Sequence, residues 1–274
     1  MWFKATNPGQ GFEAAVSAAL ARLAPAHVLP PLSVDADRGW LLLPDGGQSM
    51  RDQGEVSADW WEKLVVQAAG LQQALVPHET ELLAAGLPVL GPSDVEAWLA
   101  ELVDELRQLR REDPQHISAA SARELLAAGD ARESDLSQLS MAGVPLTLQP
   151  NDINPGNALV FPGSRRLALM DFGDAFWSHP FAALQVPTRL AAGSWPHRPA
   201  PGHPLVRRLH AAYANAWGMT EPDAARLIVI ADRLASIHRC QSWRRLMRHV
   251  DQDRLDAPPP LLHEWLTDAL LPTR

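Results

Sequence analysis

Apolar residues recur at helical spacing from Phe12 to Leu23, at Phe12, Val16, Ala19, Leu20 and Leu23, the rhythm of a helix with one face against a core. The same period predicts helices over 58–75, 94–111, 121–128, 135–141, 181–191, 205–217, 221–248 and 261–270. In the second of these, Val95, Leu99, Leu102, Val103 and Leu106 form a stripe, and Ser93 is placed to cap its first turn. Short apolar runs bounded by turn formers predict strands at 2–5, 29–34 and 40–43, and again at 146–148, 158–161 and 167–170.

These elements divide the chain. Residues 1–45 read as a small β-α-β-β unit, closed by the linker Pro44-Asp45-Gly46-Gly47, and residues 46–274 read as mainly helical. A β-rich island at 145–173 interrupts the helical part, so the fold class is α+β. No internal repeat is visible. A chain of 274 residues is long enough to bury roughly 70–75% of its extended surface.

Composition narrows the function classes. A net charge of −8, from 24 basic and 32 acidic residues, disfavours nucleic acid as a partner, since binding there rests on neutralising phosphates. One cysteine, Cys240, excludes an internal disulfide and cysteine-rich zinc sites. No run approaches the length of a membrane span and the start has no signal-peptide core, so a cytoplasmic protein without a membrane partner is expected. All basic residues except Lys4 and Lys63 are arginine, which leaves two candidates for any chemistry that needs a lysine. Lys63 falls on a helix beside Trp60 and Trp61, leaving Lys4.

The island carries the candidate chemistry. Pro150-Asn151-Asp152-Ile153-Asn154-Pro155-Gly156-Asn157 is a tight loop after one strand, and Asp171-Phe172-Gly173-Asp174 leaves the end of a following strand. Asp171 and the Asn157 carboxamide oxygen are hard ligands suited to Mg²⁺, which shares its shell with phosphates. Asp152, kept off the metal, can accept a hydroxyl proton during attack on a γ-phosphate. A polar turn with capping Asp and Asn is the plainer reading of such a loop, but the second acidic motif and the apolar strands favour the chemical one. A calcium loop does not fit, because its glycine would be one position early and no Glu closes it.

With these motifs the sequence resembles the aminoglycoside phosphotransferase and choline kinase-like enzymes, relatives of the protein kinases. Their catalytic loop reads His-Gly-Asp-x-x-x-x-Asn, followed by an Asp-Phe-Gly or Asp-Trp-Gly strand end. The resemblance implies a two-lobed kinase-like fold, with a nucleotide lobe over 1–45 and a catalytic, acceptor-binding lobe over 46–274. It implies Asp152 as catalytic base, Asn157 and Asp171 as Mg²⁺ ligands, and ATP as the phosphoryl donor to a hydroxyl of a small-molecule acceptor. Lys4 and Glu13 look like the strand lysine and helix glutamate that hold the α/β-phosphates. Residues 41–45, including Leu43 and Asp45, would form the strand and hinge against which adenine lies, and Ser178-His179-Pro180-Phe181 resembles the segment leading into the helical subdomain.

Two positions depart from the family. The chain starts at the lysine strand, so the glycine-rich hairpin that precedes it in the family is expected to be missing, and Gly9-Gln10-Gly11 follows the lysine instead. Pro150 replaces the loop histidine and cannot supply its hydrogen bonds. These departures keep an alternative open, a catalytically impaired kinase-like protein that binds nucleotide or serves as an interaction module. Arg226, Arg233, Arg239, Arg244, Arg245 and Arg248 read as a solvated face with acid partners such as Asp223 and Asp232. Their sharper alternative is an acceptor pocket for an anionic substrate. The acidic net charge is compatible with a cationic acceptor.

Overall fold

The computed structural model describes residues 1–127, 129–161, 166–250 and 260–270, with 129–131 as backbone only. Strands β1 (Trp2–Ala5), β2 (Ser33–Asp35) and β3 (Trp40–Leu43) pair antiparallel in the order β1-β3-β2. The register sets Lys4 opposite Leu41 and Leu41 opposite Val34, so these three share a face. Leu41 is buried there, whereas Phe3 and Trp40 lie on the other, exposed face and meet edge to face. Helix α1 (Glu13–Leu23) completes this unit.

The strand expected over 29–34 is shorter than its apolar run. Pro30 and Pro31 offer no backbone N–H, and only Ser33–Asp35 joins β3. The residues before them turn to another sheet. Leu169 N donates to His27 O and Leu29 N donates to Leu169 O, at 2.8 and 3.2 Å. The small unit is thereby stitched to the larger body.

That body contains β4 (Gln48–Ser49), β5 (Thr147–Gln149), β6 (Ala158–Val160), β7 (Leu167–Leu169) and β8 (Phe176–Ser178), arranged as β4-β6-β7 and β5-β8. Strands β4 and β8 are absent from the apolar pattern. The first is only two residues long, and the second was masked by the helix-like run that follows it. The helices are α2 (Ala58–Leu75), α3 (Glu79–Ala84), α4 (Val95–Gln108), α5 (Ala119–Leu126), α6 (Gly129–Met141), α7 (Gln185–Ala191), α8 (Pro204–Ala216), α9 (Glu221–Met247) and α10 (Leu262–Leu270).

Several helix starts differ from expectation: α6 begins at 129 where 135 was expected, and α7 begins at 185, after a 3-10 turn over Pro180–Leu184 where a helix from 181 was expected. Two further differences have a visible cause. Ser93 is not a cap: Pro92–Asp94 is a 3-10 turn, in which the Asp94 carboxylate accepts from Gly91 N at 2.7 Å. Helix α5 begins before 121 because Ser118 caps it, its Oγ accepting from Ser121 N at 3.0 Å; the expected end at residue 128 lies outside the described residues.

Helix α9 runs through the body, against α6, α8, α10 and the 3-10 turn Pro180–Leu184, and it also meets the 3-10 turn Pro8–Gln10 of the small unit. Its arginines are not one solvated face, because Arg239 and Arg244 are buried. Arg244 pairs with Glu101 at 2.8 Å and with Glu105, both on α4. The acids expected as local partners are used elsewhere: Asp232 binds Arg189 at 3.0 Å and Arg198 at 2.9 Å, and Asp223 accepts from the Thr220 hydroxyl.

His238 of α9 is fully buried and stacked on Phe176 at 4.9 Å. Its Nε2 donates to Leu90 O at 2.8 Å, and Nδ1 accepts from the Gln149 amide at 3.2 Å. A carbonyl can only accept, so these partners suit the neutral ring. Burial, with a smaller contribution from Arg245, pushes its pKa from 6.5 down to about 4. The unfolded chain therefore binds the proton first as pH falls, and stability is lost between 6.5 and about 4. This one group contributes at most about 3 kcal/mol to that loss. Urea melts of wild type and His238→Gln across this range should show a flatter acid slope in the variant; equal slopes would place the sensitivity elsewhere.

Candidate functional site

The loop after β5 is wound around one carboxylate. Asn151 sits in the left-handed region at φ 64°, a conformation that Asn tolerates better than most residues, and it turns the chain so that Asp152 leaves the strand end. Asn154 caps the 3-10 turn Pro155–Asn157: its Oδ1 accepts from Gly156 N at 2.8 Å and from Arg51 Nη2 at 3.0 Å. The Asn154 and Asn157 amide groups both donate to Asp152 Oδ2 at 3.1 Å. They donate also to the Asp152 carbonyl, at 3.2 and 3.0 Å.

Met170 N donates to Asn157 O at 3.0 Å, which sets the end of β7 beside the loop. Asp171 follows, also left-handed at φ 65°. Its Oδ1 accepts from Lys4 Nζ at 3.0 Å, and the same ammonium donates to Glu13 Oε1 at 2.7 Å. Burial opposes the Lys4 charge, yet Glu13 and Asp171 together hold its pKa above the ordinary value. Burial raises the pKa of Glu13, opposed by Lys4 and reinforced by Asp171. Gly173 lets the Gln10 and Glu13 side chains close in: a Cβ there would lie 2.9 Å from both Gln10 Cδ and Glu13 Oε2, and both would have to shift.

The structure thus brings Lys4, Glu13 and Asp171 into one cluster and Asp152 and Asn157 into another, joined through the Asn157–Met170 bond. Leu43 and Asp45 enter neither. Leu43 pairs with Trp2 at the far end of β3, and the exposed Asp45 carboxylate accepts from Gly47 N at 3.1 Å.

Sequence reasoning named Asp174, Arg239 and Arg245 without the contacts that join the clusters to α9, and it missed Ser242. Asp174 Oδ1 accepts from Gln10 Nε2 at 2.8 Å and from the Ser242 hydroxyl. Arg239 reaches Asp174 Oδ2 at 3.4 Å and Asp152 Oδ1 at 2.8 Å. Arg245 lies between Phe12 at 5.1 Å and Phe176 at 4.4 Å, and burial lowers its pKa to about 10 against the pull of Asp174. The available signal was the i, i+3 spacing of Arg239, Ser242 and Arg245, which puts the three on one side of the helix. Pro150 donates no hydrogen bond; the buried imidazole beside the loop is His238, from α9, which bonds Gln149.

No family model matches the chain, and no curated protein matches it in sequence. Solved structures do share its fold. The Plasmodium vivax ethanolamine kinase is 13% identical, with 96% of this chain and 70% of that chain covered and a TM-score of 0.59. A choline/ethanolamine kinase family protein of Mesorhizobium loti is 13% identical over 95% and 76%, with a TM-score of 0.57. An aminoglycoside phosphotransferase of Streptomyces rimosus, solved with ADP and streptomycin, is 15% identical over 85% and 86%, with a TM-score of 0.54. The chain has the kinase-like α+β fold of these structures, as the resemblance implied.

The contact between the small unit and α9 admits a direct test. A Cβ on Gly9 would lie 2.4 Å from Arg245 O, whereas one on Gly11 meets nothing closer than 3.4 Å. Gly9→Ala should therefore lower stability by about 1–3 kcal/mol, the usual cost of forcing packed backbone apart, with Gly11→Ala much milder in the same melts. Equal losses would show that Pro8–Gln10 does not seat on α9.

Proposed function

We propose that the chain is an ATP- and Mg²⁺-dependent phosphotransferase acting on a hydroxyl of a small-molecule acceptor. One observation carries this reading: the Lys4 ammonium is shared by Glu13 and Asp171, beside a loop whose amides converge on Asp152. Nucleotide would lie between residues 1–45 and the body over 46–274, with Lys4 on its phosphates, Glu13 orienting Lys4, and Leu43 and Asp45 on the adenine side.

The donor set fits Mg²⁺. Asn157 uses its amide N–H groups on Asp152, which leaves its carbonyl oxygen as the coordinating end, and Asp171 has a second oxygen beyond the one on Lys4. Two protein oxygens, completed by phosphates and water, are the shell this ion prefers. The chemistry supplied by bound Mg²⁺ is neutralisation of phosphate charge. Asp152 takes the acceptor's hydroxyl proton as its oxygen attacks the γ-phosphorus, and Asn154 and Asn157 hold the carboxylate for that transfer. A bound nucleoside diphosphate and small hydroxylated acceptors in structural neighbours, such as ADP and streptomycin, agree with this assignment.

The test is Mg·ATP turnover by the full chain, read as γ-phosphate release to water or to a panel of small hydroxylated amines. Asp152→Asn should lower turnover by about a hundredfold or more while Mg·ATP still raises the melting temperature. Retained turnover in Asp152→Asn would overturn the role of Asp152. Binding without turnover in the wild type would instead identify a nucleotide-binding relic.

A further inference from the structure

We infer that Arg239 is a positioning residue for phosphoryl transfer, holding the Asp152 carboxylate at a set orientation. The inference rests on the phosphotransferase reading of Asp152. It does not follow from the catalytic-loop motif, because Arg239 lies 87 positions away, on α9.

Arg239 is mounted rigidly. Its guanidinium lies over Trp195 at 5.2 Å, and Trp195 in turn meets Trp265 at 5.9 Å. One arm reaches Asp174 Oδ2, a carboxylate whose other oxygen is held by Gln10 and Ser242. The other arm ends on Asp152 Oδ1 at 2.8 Å. The side chain is 10% exposed and that of Asp152 29%, so the pair is only partly screened and its charge is felt. With Oδ2 taken by Asn154 and Asn157, each oxygen of Asp152 has a fixed direction. A carboxylate oxygen accepts more than one hydrogen bond, so Oδ1 can meet the acceptor hydroxyl while still on Arg239.

The second oxygen of Asp152 is held from the other side, by Asn154, which Arg51 anchors in turn. Replacing Arg239 by an apolar residue removes the guanidinium donor on Oδ1 and frees the Asp174 oxygen that Arg239 holds. The Asp152 carboxylate is then free to turn away from the direction in which it meets the acceptor hydroxyl.

The test uses the full chain with Mg·ATP and water as the acceptor, and follows γ-phosphate release in wild type, Arg239→Met, Arg239→Lys and Asp152→Asn, with nucleotide-binding sites counted by calorimetric titration. Arg239→Met is expected to lower kcat per binding site about ten- to a hundredfold and to leave the KM for Mg·ATP within about twofold. Arg239→Lys keeps a charge without the fork, so it should recover part of that loss at the same KM. A residue that merely supports the fold would lower the number of binding sites and leave kcat per site unchanged. Unchanged kcat per site in Arg239→Met, or a loss that falls on KM, overturns the inference. If Arg239→Met does not fold, Arg239→Lys decides: unchanged kcat overturns the inference and reduced kcat supports it. If Asp152→Asn abolishes release and the arginine variants behave as wild type, this inference alone fails. Full release by Asp152→Asn, or none by wild type, overturns the phosphotransferase reading together with it.

Discussion

The Lys4 ammonium, held at once by Glu13 and Asp171, is the interaction on which the rest of the site depends. Glu13 is 2% exposed, and a carboxylate so buried is costly unless a cation meets it. Lys4 can meet it only if β1 stands over α1 with its side chain turned inward. The same cation then draws in Asp171, from a strand far along the chain, so that a single charge fixes β1, α1 and the end of β7 together. Because Asp171 follows Met170, whose N–H is bonded to Asn157, the position of the loop around Asp152 is set through the same connection.

Helix α9 provides a second constraint from the opposite side. A buried helix ordinarily presents apolar residues, yet this one places His238, Arg239, Ser242 and Arg245 against the acidic loop and the start of α1. Each makes contacts there: Leu90 and Gln149 for His238, Asp152 and Asp174 for Arg239, Asp174 for Ser242, and two aromatic rings for Arg245. Broken one at a time, such contacts leave a buried charge or donor uncompensated. The site therefore relies on long-range polar contacts as well as on the loop itself.

Much of this was legible in the sequence, for reasons that are local. Helical periods are long enough to average over individual residues, and most helices fell within a few residues of their expected bounds. The loop around Asp152 and the Asp171 turn stood out in the sequence as short polar stretches at strand ends, and each contains a left-handed residue of tolerant type. Lys4 and Glu13 were paired by resemblance, and the structure places them 2.7 Å apart. What could not be read was long-range or very short. Strand β4 has two residues, β8 is hidden before a helix-like run, and the path of His27–Leu29 depends on the edge of another sheet. Arg239 and Arg244 looked like surface charge because an arginine on a helix carries no local mark of a partner more than eighty positions away.

The central claim is that Lys4, Asp171 and Asn157 form a nucleotide and divalent-ion site. Calorimetric titration of the full chain with ATP, with and without Mg²⁺, in wild type and Asp171→Asn, tests it most directly. The account predicts binding that Mg²⁺ strengthens in the wild type, and little or no strengthening by Mg²⁺ in Asp171→Asn. Equal Mg²⁺ dependence in the two proteins, or no nucleotide binding by either, would contradict it.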